Sequence, residues 1–175
     1  MILKSKDNPL FLVIKFSISK KINFKSFLMS ALIENLHYNW TVLLLLILFI
    51  NVLNAFFRRI SGKKFSTLDL RICLFGLIFS YFHLLISLTL YFISSTFDQW
   101  FENSIDNIVT SNELRSNLVI NPLTNILAVC FVNLGWKLKK NHFKSSKKFL
   151  RVAIFYGLGL ILFIIASGNS ILSSN

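Results

Sequence analysis

The sequence predicts an all-α fold, a four-helix transmembrane bundle with a short amphipathic helix at the interface in its second connector. Three observations carry that prediction. Four apolar runs each approach the roughly 20 residues that a helix needs to cross hydrocarbon about 30 Å thick. Charged residues, 15% of the chain, fall almost wholly between those runs. Mean hydropathy is +0.64 and 54% of residues are hydrophobic, above the roughly 45–50% of a soluble domain. A length of 175 residues fits one domain.

Residues 1–28 form a basic extension carrying Lys4, Lys6, Lys15, Lys20, Lys21 and Lys25. Its apolar piece, 9–16, is too short to span and is broken by Lys15. Three readings stand: an upstream extension with initiation at Met29, a cleaved targeting segment, or a basic surface helix that folds back. The start at Met29 is favoured, and residues 29–175 are then the membrane domain.

The first span is expected at about 40–57, with Tyr38 and Trp40 as interfacial aromatics and Arg58-Arg59 beyond its other end. The second, about 72–93, follows Arg71 and precedes Ser94-Ser95. The third, about 118–136, is the least apolar and holds Asn121, Pro122, Asn125 and Asn133. Amides facing hydrocarbon would each lose several kcal/mol of hydrogen bonding, so this helix is expected to be the most enclosed. Pro122 is expected in its first turn, where the missing N–H is harmless. The fourth span, about 149–166, follows a run rich in lysine.

Connector charge sets the orientation. Arg58, Arg59, Lys63, Lys64 and Arg71 face only Asp69 in the first connector. The third holds Lys137, Lys139, Lys140, Lys144, Lys147, Lys148 and Arg151 with no acid. The second holds Asp98, Glu102, Asp106 and Glu113 against Arg115. The positive-inside rule makes the two basic connectors cytoplasmic and puts the C-terminus outside. The same placement excludes nucleic acid as the meaning of the +12 net charge, because a nucleic-acid domain gathers its bases' partners on one exposed face. In the acidic connector Phe97, Trp100, Phe101, Ile105, Ile108 and Val109 share a helical face opposite Asp98, Glu102 and Asp106, the pattern of a helix lying on the membrane surface.

Candidate chemistry is sparse. Gly76, Ser80, His83 and Ser87 share one face of the second span, the small and polar stripe that marks a helix-packing side. His83 lies 11 residues from the span's outer end, roughly 16 Å deep. An ionisable group there is a candidate metal or haem ligand or proton relay. The favoured reading is a neutral ring hydrogen-bonded to Asn51, Asn54, Asn125 or Asn133. His37 sits at the mouth of the first span, so the depth difference disfavours one haem held by both histidines. His142 lies in the basic connector. Cys73 and Cys130 sit in apolar runs and read as small core residues, without the close partners of a zinc site. Gly157-Leu158-Gly159 is a close-packing signal. Nothing in these residues points to an enzyme.

The order of features His37-Tyr38-Asn39-Trp40, Lys63-Lys64-Phe65 with Asp69, then 77–86 and 90–94, Leu114-Arg115, a proline-bearing third span and 153–157 resembles a family of small four-helix inner-membrane proteins of Bacteroidetes, often labelled cytochrome b-like. The resemblance covers 29–167. It implies a bacterial inner-membrane location and haem b, with His37 matching the family's histidine at the first mouth. The family's Glu-His step at the third span reads Asn121 here, and its second-span histidine falls at Tyr81. The function expected from this is an accessory or anchor subunit of a membrane redox complex, with the bilayer and a membrane-complex partner around it. A haem- or quinone-binding electron carrier using His37 or His83 is the alternative, and a small transporter or immunity-type protein the third.

Overall fold

A computed structural model describes residues 9–93, 95–139 and 144–172, and side chains within 31–93, 97–137 and 144–168. Every element is helical: α1 (Pro9–Ile60), α2 (Thr67–Ile93), α3 (Ser95–Glu102), α4 (Ile105–Thr110), α5 (Asn112–Arg115), a π-helical turn (Ser116–Ile120), α6 (Asn121–Lys139) and α7 (Ser145–Leu172). Four of these stretches are long and apolar enough to cross a membrane: Ala31–Ile60, Thr67–Ile93, Asn112–Lys137 and Ser145–Gly168. They pack in the cyclic order α1, α2, α6, α7, with α1 and α6 diagonal.

The bundle is polar within and apolar without. Thr41, Asn51, Asp69, Ser80, His83 and Asn125 are buried, while Phe49, Phe75, Leu85, Ile161 and many other large apolar side chains are exposed around the girth. A bundle in water would turn its polar faces outward, and a continuous apolar belt of this kind needs lipid to cover it. The chain is an integral membrane protein.

The core runs through Leu44, Leu48, Ala55, Leu77, Val132, Phe149, Val152, Tyr156 and Phe163. Without a hydrophobic drive between helices in lipid, close packing holds them together, and two glycines make it possible. A Cβ on Gly135 would stand 2.9 Å from the Tyr156 ring, and one on Gly159 would stand 2.7 Å from Val132 Cγ2. The α6–α7 seam therefore closes only because side chains are missing there. The two helices that share this seam are the more buried pair, so the asparagine-bearing α6 shares its enclosed position with α7.

The basic end is built by local chemistry. Gly62, at φ 63°, ends α1 in a Schellman motif: its N–H donates to Arg59 O and the Lys63 N–H to Arg58 O, closing carbonyls the helix leaves open. Ser66 then caps α2. Its Oγ takes the Asp69 N–H at 3.4 Å, while Asp69 Oδ2 takes the Ser66 N–H at 2.8 Å, a reciprocal capping box.

Several expectations need correction. The basic segment from Pro9 continues α1 as one helix of 52 residues, about 78 Å long at 1.5 Å per residue, and does not fold back; residues 1–8 lie outside the described part. Asp69, read above as a connector residue, is in the first turn of α2 and 1% exposed. The single amphipathic connector helix is two helices. Ser104 caps α4 by accepting from the Asn107 N–H, and that local bond competes with continuing α3. Ile108 is buried while Phe101 and Ile105 stay exposed.

The third crossing also begins earlier. From Asn112 to Lys137 it is one run, so Pro122, although in the first turn of α6, lies well inside it. A proline removes the donor that would meet the carbonyl four residues back, here Leu118 O. The Tyr91 hydroxyl supplies that donor from α2 at 3.1 Å. The π-turn, closed by the Asn121 N–H to Ser116 O, takes up the misfit just before the proline. Lys140 and His142 lie outside the described residues.

Candidate functional site

The packing stripe of α2 faces inward: Gly76, Ser80 and His83 are buried and Ser87 half-buried. Each does something different. Ser80 returns its hydroxyl to Gly76 O at 2.7 Å. Gly76 makes room for Asn51, whose Nδ2 would be 2.9 Å from an added Cβ. Asn51 itself donates to Ile47 O. Asn54 donates to Asp69 Oδ1 at 3.0 Å, and Asn133 is half-buried on α6. Of the four asparagines considered for His83, only Asn125 faces it.

His37 and His83 stack, with ring centroids 4.9 Å apart and planes 27° from parallel. The expectation that they differ by roughly 16 Å in depth is overturned. It treated His37 as the end of a helix and took helix levels from hydropathy edges. The Asn54–Asp69 bond gives the true level of α1 against α2. From there His37 lies 17 residues back along α1 and His83 lies 14 residues on along α2, a difference of about 4–5 Å. Trp40, expected at the interface, stacks on Phe79 at 4.8 Å and donates Nε1 to Phe79 O at 3.2 Å, holding the helices in this register.

The tautomers follow from the bonds. Thr41 has one hydroxyl hydrogen and gives it to His37 O at 2.6 Å. Toward His83 Nδ1, 3.4 Å away, its oxygen can only accept. That contact is met when His83 carries its hydrogen on Nδ1. His37 Nε2 is buried and, among the described residues, without a hydrogen-bond partner. Asn125 gives Nδ2 to Ser87 Oγ at 3.3 Å and leaves its Oδ1 unpaired. Asn121, one turn earlier, donates to Asn117 Oδ1 at 3.5 Å and likewise leaves Oδ1 unpaired. Phe163 of α7 closes the layer, its ring edge-on to His83 at 5.1 Å.

Haem does not fit this pair as its two axial ligands. Such ligands meet the iron from opposite faces of the macrocycle, whereas these rings lie face to face with no slot between them, and Phe163 fills the α7 side. The layer instead packs the two rings on each other, with Asn125 turned to His83 from α6. Sequence reasoning picked out both histidines but not their contact, and it missed Asp69, whose signal was the Ser66-x-x-Asp69 box.

The fold defines the class: an all-α, multi-pass integral membrane protein. Beyond the class, no family model, no curated protein and no solved structure matches this chain.

Proposed function

We propose that this protein is a non-catalytic accessory or anchor subunit of a membrane complex, with its basic connectors on the cytoplasmic side of a bacterial inner membrane. The observation that carries the reading is the close-packed seam. Tyr156, Phe163 and Phe149 are fully buried, and Gly135 and Gly159 let α6 and α7 approach until no methyl group fits. An interior filled in this way is a rigid scaffold and offers no path for a transported solute. The basic end adds a fixed platform. Phe65 N–H donates to Ser145 Oγ across the two basic connectors, and Phe65 packs on Phe149 at 5.0 Å beneath exposed Arg59, Lys63, Lys64 and Lys147. The resemblance to cytochrome b-like proteins makes a redox assembly the favoured company, and the poor fit of haem to the histidine pair favours a support role over that of the electron carrier.

Native purification from the source membrane in mild detergent tests this. The expected particle contains further polypeptides, and any b-type absorption in it is lost when this chain is isolated. A chain that runs alone with its own reduced-minus-oxidised haem band would overturn the reading. A reporter fused at Asn175 is expected to read as outside; a cytoplasmic signal would reverse the orientation.

A further inference from the structure

We propose that the basic end of the bundle holds the headgroup of an anionic phospholipid in a cradle where the first and third connectors meet. Lys63, Lys64 and Phe65 form one side of it, and Lys144, Lys147 and Lys148 the other. The spans end at Ile60 and Lys137 and begin again at Thr67 and Ser145, so these side chains stand at the level of lipid headgroups.

Charge at this end is unbalanced. Asp69 is the one acid in either connector, and it is buried against Arg58 Nε at 2.9 Å. No carboxylate in the connectors is left for the lysines. α7 also opens with no acid in its first turn, although Lys147 and Lys148 stand there, where a helix favours negative charge. The unmet demand is for an anion supplied from outside the chain.

The cradle is ordered by contacts of its own. Lys63 N–H donates to Arg58 O at 3.1 Å, Arg58 Nη2 donates to Lys64 O at 3.5 Å, and Phe65 N–H donates to Ser145 Oγ at 3.1 Å. Three consecutive residues are thus pinned, the last of them to the other connector. Lys148 Nζ lies 5.9 Å from the centroid of the Phe65 ring, held there by cation–π attraction. A surface ordered before binding loses little freedom when its ligand arrives.

The apolar rim favours a lipid over other anions. Ile60, between Arg59 and Lys63, is 69% exposed, and Phe57 and Leu68 are exposed likewise. A ligand that joins a phosphate to acyl chains meets the cations and covers the rim together, whereas a soluble polyanion would leave the rim bare. The proposal rests on the chain crossing a membrane and not on the subunit role, so either can fail without the other.

The test uses the full chain in mild detergent, stripped of native lipid. It is titrated with fluorescent phosphatidylglycerol and, separately, with phosphatidylcholine bearing the same chains. Saturable binding of the first and not of the second is expected, a comparison that needs no variant to fold. Each basic side chain near an anionic lipid surface strengthens attachment about fivefold, so Lys64→Gln with Lys148→Gln together are expected to weaken it about 25-fold. Arg71→Gln with Lys137→Gln removes the same charge from α2 and α6, across the bundle, and is expected to leave most of the affinity in place. Equal weakening by the two pairs overturns the cradle, because it marks attraction to the whole basic end. Equal binding of the two lipids overturns it too. So does displacement of phosphatidylglycerol by inorganic phosphate, polyglutamate or an oligonucleotide at matched ionic strength, which would show that an anion suffices without acyl chains.

Discussion

At the basic end of the bundle a buried carboxylate has every partner it can use. Asp69 meets Arg58 Nε at 2.9 Å, Asn54 Nδ2 at 3.0 Å, and the Ser66 N–H and hydroxyl at 2.8 and 2.7 Å. At the other end the buried layer of His37, His83 and Asn125 is neutral and leaves acceptor atoms unpaired. Both layers join α1 to α2, so the contrast separates two kinds of buried polarity. A satisfied network sets a register and holds it. An unsatisfied one contributes little to holding the helices.

If that division is right, the largest effect on stability comes from the satisfied end. Asp69→Ala removes its half of the α2 capping box, the bond to Asn54 and the counter-charge of Arg58. Breaking a buried ion pair by deleting one partner typically costs 3–5 kcal/mol. Arg58 keeps 27% of its side chain exposed, so the expected loss is toward the lower figure, about 3 kcal/mol. Thermal unfolding in detergent measures it. A change near zero would mean that register is set elsewhere, Trp40 on Phe79 being the next contact to remove.

The seam between α6 and α7 provides a second, smaller test. Gly135→Ala drives a methyl group to 2.9 Å from the Tyr156 ring and 3.0 Å from Phe155 Cβ, an overpacking expected to cost about 1–3 kcal/mol. Gly157, two residues before Gly159 on the same helix, has its nearest neighbour at 4.0 Å. Gly157→Ala is therefore expected to be neutral or to stabilise by up to about 1 kcal/mol through helix propensity. Equal effects of the two substitutions on the unfolding midpoint would show that the close approach is not what holds the seam.

The same contrast explains which features the sequence made legible. Four apolar runs are a local signal, and the bundle follows from them. The inward face of α2 was legible for the same reason, since Gly76, Ser80 and His83 repeat at helical spacing. Register was not legible. It depends on where one helix meets another, and hydropathy edges are a poor ruler when α1 runs on past His37 and a buried Asp69 sits beyond the apolar edge of α2. The capping box Ser66-x-x-Asp69 was in plain view, and reading it as the start of α2 would have moved that helix back by five residues. The partnership of Pro122 with Tyr91 was out of reach, because the carbonyl freed by a proline is satisfied by a residue 27 positions before it.

The smallest stability effect is expected at the histidine layer. In His83→Leu the side chain keeps its approximate volume against Phe163. Thr41 still gives its hydroxyl to His37 O, and Asn125 still gives its amide to Ser87. One long contact of 3.4 Å and the ring stack are lost, and exchanging a weakly bonded polar group for an apolar one of similar shape is nearly neutral. Stability is expected to change by no more than about 1 kcal/mol. Measured beside Asp69→Ala in the same detergent, this variant decides which end of the bundle carries the greater share of its stability. A loss as large as that of Asp69→Ala would make His83 part of the framework and erase the distinction between the two ends. A small loss would leave the Asp69 end as the one that holds α1 and α2 in register.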